Sequence, residues 1–499
     1  MLPGNTYKPQ PQTILMLLWL AWWNLVLCLR PAFSRYRAFL WFAVVLAAFS
    51  VRGDLSGVTS FVRALGLRRQ FYDRLLDFFH SRAVLMPKLT ALWAALVLRV
   101  LKRHLFTVNG RLVLLADGIK APKTGRKMPA VKKLHQESQN NSKPEFIFGH
   151  SCQAIALVVK AAQSYFALPL ACRIHEGLRF TNRDRRTLMD KLLLLLQELG
   201  ISLPFYCVAD AYYATAKIIL PILRADQHLV TALKSNAVAY EPLTSPARRR
   251  RGRPRHYGRK HRLKDLFDKA SAFTSAASPI YGEKGVTLRY RTADLLWRPV
   301  GCLVRFVAVI HPQRGCRIFL ATDLTLGALD SLRLYGVRFK IEVAFKQAVH
   351  TVGTYSYHFW MTAMTPITRR SGNQHLHRKS DTYRAQVRRK MRAYSCHLQT
   401  GVIAQGLLQM LSVQGEAPAA HHAVQVIMIA EVLPPSVEDG GDSQSSVEVV
   451  PTKRVPSVGV RNVENSRYSA KSAWRGALPE NGQACGVRIS QCRKVPALR

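Results

Sequence analysis

The sequence predicts an α/β protein, a mixed sheet flanked by helices, with a helical domain ahead of the sheet and a β-rich insertion within it. Three observations carry that prediction. Apolar runs of strand length, RLVLLADG (111–118) and FYCVADAYYA (205–214), each deliver an aspartate. Helical periodicity fills the first hundred residues and returns between the strands. Alternating stretches such as LRYRTADLLW, CLVRFVAVIH and CRIFLATDL interrupt that rhythm before the amphipathic segment YGVRFKIEVAFK (335–346).

Residues 1–105 read as helical. TILMLLWLAWWNLVLCL (13–29) and FLWFAVVLAAF (39–49) are at or below the length that crosses a bilayer, so buried helices are expected and membrane spans are the competing reading. No basic region precedes the first run, which argues against a cleaved signal peptide. Residues 54–79 predict helix, a break near Gly66, and a second helix. That is either a plain bundle element or a helix-turn-helix presenting Arg68, Arg69 and Arg74 to DNA.

Residues 106–240 read as the first part of a catalytic core. The two aspartate-bearing strands are joined by strand candidates FIFGHSCQAIALVVKAA and YFALPLACRIHEG. A helix follows over 181–201 with Thr181 or Asn182 as N-cap, then a helix containing Pro221, then the strand HLVTALKSNAVAY. Residues 241–333 hold a basic loop, RRRRGRPRHYGRKHRLK (248–264), followed by the β-rich insertion. Its cations Arg248, Arg249, Arg250, Arg251, Arg253 and Arg255 repel one another unless phosphates neutralise them, so DNA-backbone contact is expected over a solvated linker. Residues 334–412 carry the amphipathic helix, a second basic stretch (369–390) and a helix ending GVIAQGLLQML. Residues 413–499, rich in Ser, Val, Pro and Gly, are expected to be disordered.

The chain has 499 residues and 48% hydrophobic content, ample for a large core. Lys and Arg number 73 against 29 Asp and Glu, a formal charge of +44. Neutral and cationic partners are thereby disfavoured, leaving a nucleic-acid enzyme, a nucleic-acid scaffold or a membrane-surface protein. Nine cysteines form no CxxC pair and no Cys/His spacing suited to tetrahedral zinc, and an odd number cannot all pair within one chain, so a reducing compartment, the cytoplasm, is expected.

Asp117 and Asp210 sit at the C-terminal ends of their predicted strands, and Glu342 lies beside the buried face of the amphipathic helix. If the strands are neighbours and the helix packs across them, the three carboxylates converge and require cations. Hard oxygen donors suit two Mg2+ or Mn2+ ions, the arrangement for phosphodiester cleavage or strand transfer without a covalent protein intermediate. Tyr335, Arg338 and Lys346 share an arc with Glu342, suited to gripping phosphate and orienting water. A solvated face with a Glu342–Lys346 pair fits the same pattern. Asp323, at the end of FLATDL, competes with Glu342 for the third position. His150 and the His175–Glu176 pair either support the metal site or are ordinary core or surface residues, the default reading.

Taken together, ADGIK around Asp117, VADAYYA around Asp210, and the Y-x2-R-x3-E spacing of Tyr335, Arg338 and Glu342 resemble the DDE transposases of bacterial insertion sequences, in the group with a Tyr-Arg-Glu-Lys signature. The resemblance spans roughly 110–365. It implies an RNase-H-like fold, magnesium, nicking at element ends, and transfer of the freed 3′-hydroxyl into target DNA by a homodimer or larger synapse acting at the nucleoid. Val349 occupies the position where the signature lysine is expected, and Lys346 is the nearest substitute. The resemblance also implies an aromatic residue in the insertion that stacks on an extruded base. Trp297 is that residue, or it packs in the core. A catalytically inactive DNA-binding protein and a basic membrane-associated protein are the alternatives.

Overall fold

The computed structural model describes residues 11–136, 144–161, 164–234, 236–243 and 256–414. The six arginines between 248 and 255, and all but the first two residues of the 413–499 tail, lie outside them.

Five helices come first: α1 (Pro11–Leu27), α2 (Tyr36–Val51), α3 (Val58–Ala64), α4 (Phe71–His80) and α5 (Met86–Val100). The apolar run at 39–49 falls in α2, most of whose residues are buried inside the protein. Among the described residues, no helix is long and apolar enough to cross a membrane. The break expected near Gly66 is present, with that glycine at φ +58°, a left-handed conformation that a side chain disfavours. Arg68, Arg69 and Arg74 are exposed around it.

The sheet begins with the short β1 (Thr107–Val108) and continues through β2 (Arg111–Pro122), β3 (Lys132–His135), β4 (Phe146–Ala161), β5 (Ser164–Ile174) and β6 (Leu178–Arg179). Helix α6 (Leu188–Glu198), β7 (Phe205–Ala209), α7 (Ala216–Arg224), β8 (His228–Leu233) and β9 (Val238–Tyr240) follow. β2 pairs antiparallel with β4, β4 antiparallel with β5, β2 parallel with β7, and β7 parallel with β8. The central order is therefore β5-β4-β2-β7-β8. Beyond β8 the sheet continues through β14 (Gly315–Ala321), β13 (Cys302–His311) and β12 (Thr287–Trp297), all antiparallel, with β9, β10 (Lys260–Arg262) and β11 (Thr274–Ala277) at its edge. The alternating segments thus join the main sheet as a mixed α/β structure.

Three local expectations change. Helix α6 starts at Leu188, not near 181, because Thr187 and Asp190 form the capping box: the Thr187 N–H donates to Asp190 Oδ2 at 2.6 Å. Residues 184–186 are committed to a turn in which the Arg186 N–H donates to Asp184 Oδ1 at 3.1 Å. The amphipathic segment forms two helices, α8 (Ala328–Val337) and α9 (Lys340–Gln347), followed by a π-turn over Ala348–Val352.

After the two-residue β15 (Gln374–His375), α10 (Asp381–Gln414) closes the fold. Its second half runs through the interior against α2, α4, α5 and β5, with residues 396–411 buried. Gln405 Nε2 donates to the Ala344 carbonyl at 3.1 Å, and Gln409 Nε2 donates to Gln347 Oε1 at 3.3 Å, so α10 supports α9 from behind.

Candidate active site

Strand alternation sets the site. On β2, Val113 and Leu115 belong to the core on one face of the sheet, and on β7 Tyr206 and Val208 do the same. Continuing the period of two places Asp117 and Asp210 on that face, each two residues beyond the paired Leu115 and Val208, hence level with one another. The same face packs against Tyr335, Val337, Ile341 and Ala344 of α8 and α9. Asp210 lies at the C-terminal end of its strand, where its Oδ1 accepts from the Tyr212 N–H at 3.0 Å and caps a short 3-10 turn. Asp117 is not at a strand end: β2 runs on to Pro122, because β4 remains as its partner after β7 has stopped.

Arg338 joins the two sides of the site. Nη1 donates to Asp117 Oδ2 at 2.7 Å and Nη2 donates to Glu342 Oε1 at 2.9 Å. Arg338 is 5% exposed. Burial alone would lower its pKa, but Asp117, Tyr335, Glu342 and Asp210 together hold it above its ordinary value. The solvated-face reading paired Glu342 with Lys346; the structure pairs Glu342 with Arg338, one turn in the other direction, and Lys346 is solvent-exposed. Tyr335 is buried against Phe319, ring centroids 4.8 Å apart, and burial raises its pKa. It backs Arg338 and does not reach solvent as a water-orienting group would.

Sequence reading missed the layer behind the aspartates. Tyr213 is buried, and its pKa is raised first by burial and then by Asp117 and Asp210. Gln153 Nε2 donates to its hydroxyl at 3.0 Å, and Gln153 Oε1 meets His175 Nδ1 at 3.2 Å. The available signal was the second tyrosine of DAYY, three residues after Asp210.

Other assignments separate cleanly. Asp323 is buried and accepts from the Tyr206 hydroxyl at 2.5 Å and the Thr325 N–H at 2.8 Å. Because β14 runs antiparallel to β8, Asp323 lies at the opposite end of the sheet from Asp210 and does not compete with Glu342. Trp297 is 6% exposed and packed in the core, so it offers no face to an extruded base. His150 is fully buried between the Tyr357 hydroxyl (2.8 Å) and the Pro129 carbonyl (2.9 Å), and burial lowers its pKa to about 3. Val349 is half-buried against the core.

The donor chemistry of Asp117, Asp210 and Glu342, all carboxylate oxygens, fits a hard divalent ion. Among the described residues, however, no three His, Cys, Asp or Glu side chains stand together as a ready metal cluster. The cation between Asp117 and Glu342 is Arg338.

This site lies in a chain that belongs to the DDE superfamily endonuclease family, whose profile matches residues 28–298, more than half of the sequence. The matched region contains Asp117 and Asp210 and stops before Glu342. No curated protein matches the chain. Among solved structures, a cryo-EM structure of a piggyBac transposase synaptic complex with hairpin DNA is similar at 11% identity and a TM-score of 0.28, over 82% of this chain and 78% of that one.

Proposed function

We propose that this protein is a DNA transposase that cleaves DNA at the ends of a mobile element and joins the freed 3′-hydroxyl to target DNA. One observation carries the reading: in a chain of the DDE endonuclease family, Asp117 and Asp210 stand level on adjacent parallel strands, and Arg338 ties Asp117 to Glu342 on the helix across them. Three antiparallel strands followed by two parallel ones, with an acid on the central strand and another on its parallel neighbour, support an RNase-H-like core. We assign the bacterial insertion-sequence group with the Tyr-Arg-Glu-Lys signature, residues 1–105 to end binding, and 241–333 to the insertion.

Asp117, Asp210 and Glu342 are the residues that would hold two Mg2+ or Mn2+ ions, which supply an activated water and stabilise the leaving oxygen of a phosphodiester. The chain's own contribution is positional. Tyr213 and Gln153 fix the floor beneath the aspartates, and Arg338 brings a fixed positive charge to the place where phosphate charge develops. Lys346, exposed on α9, meets phosphate from the solvent side. The partners are double-stranded DNA, as element end and as target, and a second copy of the chain in a synapse within the nucleoid-bearing cytoplasm.

DNA flanking the coding sequence supplies the substrate, as short imperfect inverted repeats. Wild-type protein is expected to nick that end DNA only with Mg2+ or Mn2+, and Asp117→Ala to lose nicking while retaining binding. Val349 at the signature lysine position favours the second reading, a catalytically inactive DNA-binding protein. Wild type that binds the ends and never nicks them would establish it.

A further inference from the structure

Remote from the acids, residues 126–133, 177–186 and 361–379 and the first turns of α10, to Arg392, form one small body. Its core is Met361, Met364, Leu376 and Val387, with Phe180 and Tyr383 packed on it. The pieces are tied together: the Met361 N–H donates to the Lys127 carbonyl at 2.8 Å, the Lys133 N–H to the Ser371 carbonyl at 2.8 Å, and β6 pairs with β15. Eleven exposed Lys and Arg side chains crown this body, nine of them Arg, against two acids. Both acids are already paired internally, Asp184 with Arg186 at 2.8 Å and Asp381 with Arg384.

We propose that this surface, centred on Arg183, Arg185, Arg369, Arg370, Arg388 and Arg389, binds the sugar-phosphate backbone of duplex DNA away from the reacting bond. So dense a field of one sign is unfavourable until a polyanion neutralises it. The predominance of Arg over Lys suits forked hydrogen bonding to phosphate oxygens. A membrane surface fits less well: Tyr383, Val387 and Met391 of this half of α10 face the small core, so the helix has no apolar stripe for lipid, and Trp360, beside Met361, is a single exposed aromatic and not an apolar face. The body follows in sequence from the strand that carries Asp117: β2 ends at Pro122, and residues 126–133 of the body come directly after it. The choice of DNA as partner rests on the proposed function; the surface itself rests on the charge and packing above.

The test uses the full chain in EDTA, a 30-base-pair duplex, and fluorescence anisotropy across a salt series. The variant combines Arg369→Glu, Arg370→Glu, Arg388→Glu and Arg389→Glu, with circular dichroism to confirm folding. The pair Arg183→Glu and Arg185→Glu, on an exposed loop, serves if the fourfold variant does not fold. The basic 248–264 segment is untouched in each, so differences report this surface. At least tenfold weaker binding is expected, with the log–log salt slope shallower by roughly 0.9 for each phosphate no longer neutralised. A folded variant that binds the duplex like wild type overturns the proposal, and so does one that loses only binding to phosphatidylserine vesicles. Neither result touches the nicking assay, which fails or succeeds separately through Asp117.

Discussion

Replacing Arg338 with methionine removes one cation from between two carboxylates while keeping most of the side-chain volume. The cost is uneven between its two arms. Asp117 is 17% exposed, and the loss of its 2.7 Å partner leaves a largely desolvated carboxylate supported by the Gly118 N–H. Breaking a buried pair from one side costs about 3–5 kcal/mol, and residual exposure brings this arm to about 2–3 kcal/mol. Glu342 is 34% exposed, so its arm contributes at most about 1 kcal/mol. The sum is about 3 kcal/mol, read as a fall in the urea midpoint by far-UV circular dichroism in EDTA. A double-mutant cycle with Asp117→Asn should return most of that as coupling, and a cycle with Glu342→Gln much less. Mg2+ at ten times its dissociation constant should restore about 1.4 kcal/mol to Arg338→Met, more than it gives wild type, because the ion then meets no competing guanidinium. An Arg338→Met protein within about 0.5 kcal/mol of wild type, or with equal coupling to both acids, would refute the reasoning.

Two further outcomes follow from the interior. Lys123 is buried, donates to the Tyr355 and Tyr357 carbonyls and lies 3.7 Å from the Tyr357 ring centroid, and burial lowers its pKa to about 7 from 10.5. Between those values the unfolded chain binds the extra proton, so wild-type stability should rise with pH from about 7 to about 10.5, with a slope of up to about 1.4 kcal/mol per unit. Lys123→Met should flatten that rise in pH-stepped urea titrations; an unchanged slope would assign it to other groups. A Cβ at Gly406 would stand 2.3 Å from Trp93 Cζ2. Gly406→Ala should therefore destabilise by about 1–3 kcal/mol in the same titration despite alanine's better helix propensity, and a stabilised variant would show that α10 has room beside Trp93.

Much of the site was legible because its determinants are local. Two apolar runs ending in aspartate, read with a period of two, place Asp117 and Asp210; the 3.6-residue period places Glu342 beside the face that packs on the sheet. What escaped depends on partners distant in sequence. The helical wheel treats one side of the amphipathic segment as water, but β14 stands beside α8, so Tyr335 is enclosed. Charge alone does not tell Arg338 from Lys346 as the partner of Glu342; the proximity of Asp117 decides it. The alternation of β12 gave Trp297 either face, and pairing along β13 puts it inside. Gln153 and Tyr213 came together only once β4 lay beside β2.

Helix α10 is made late and used centrally. Helices α2, α4 and α5 and strand β5 all leave the ribosome before it, each with an apolar surface that this one segment later covers. Until residue 411 has emerged, those surfaces lack the segment that covers them in the folded protein. A premature stop a little upstream of residue 396 is therefore expected to leave them uncovered and the fragment prone to aggregate.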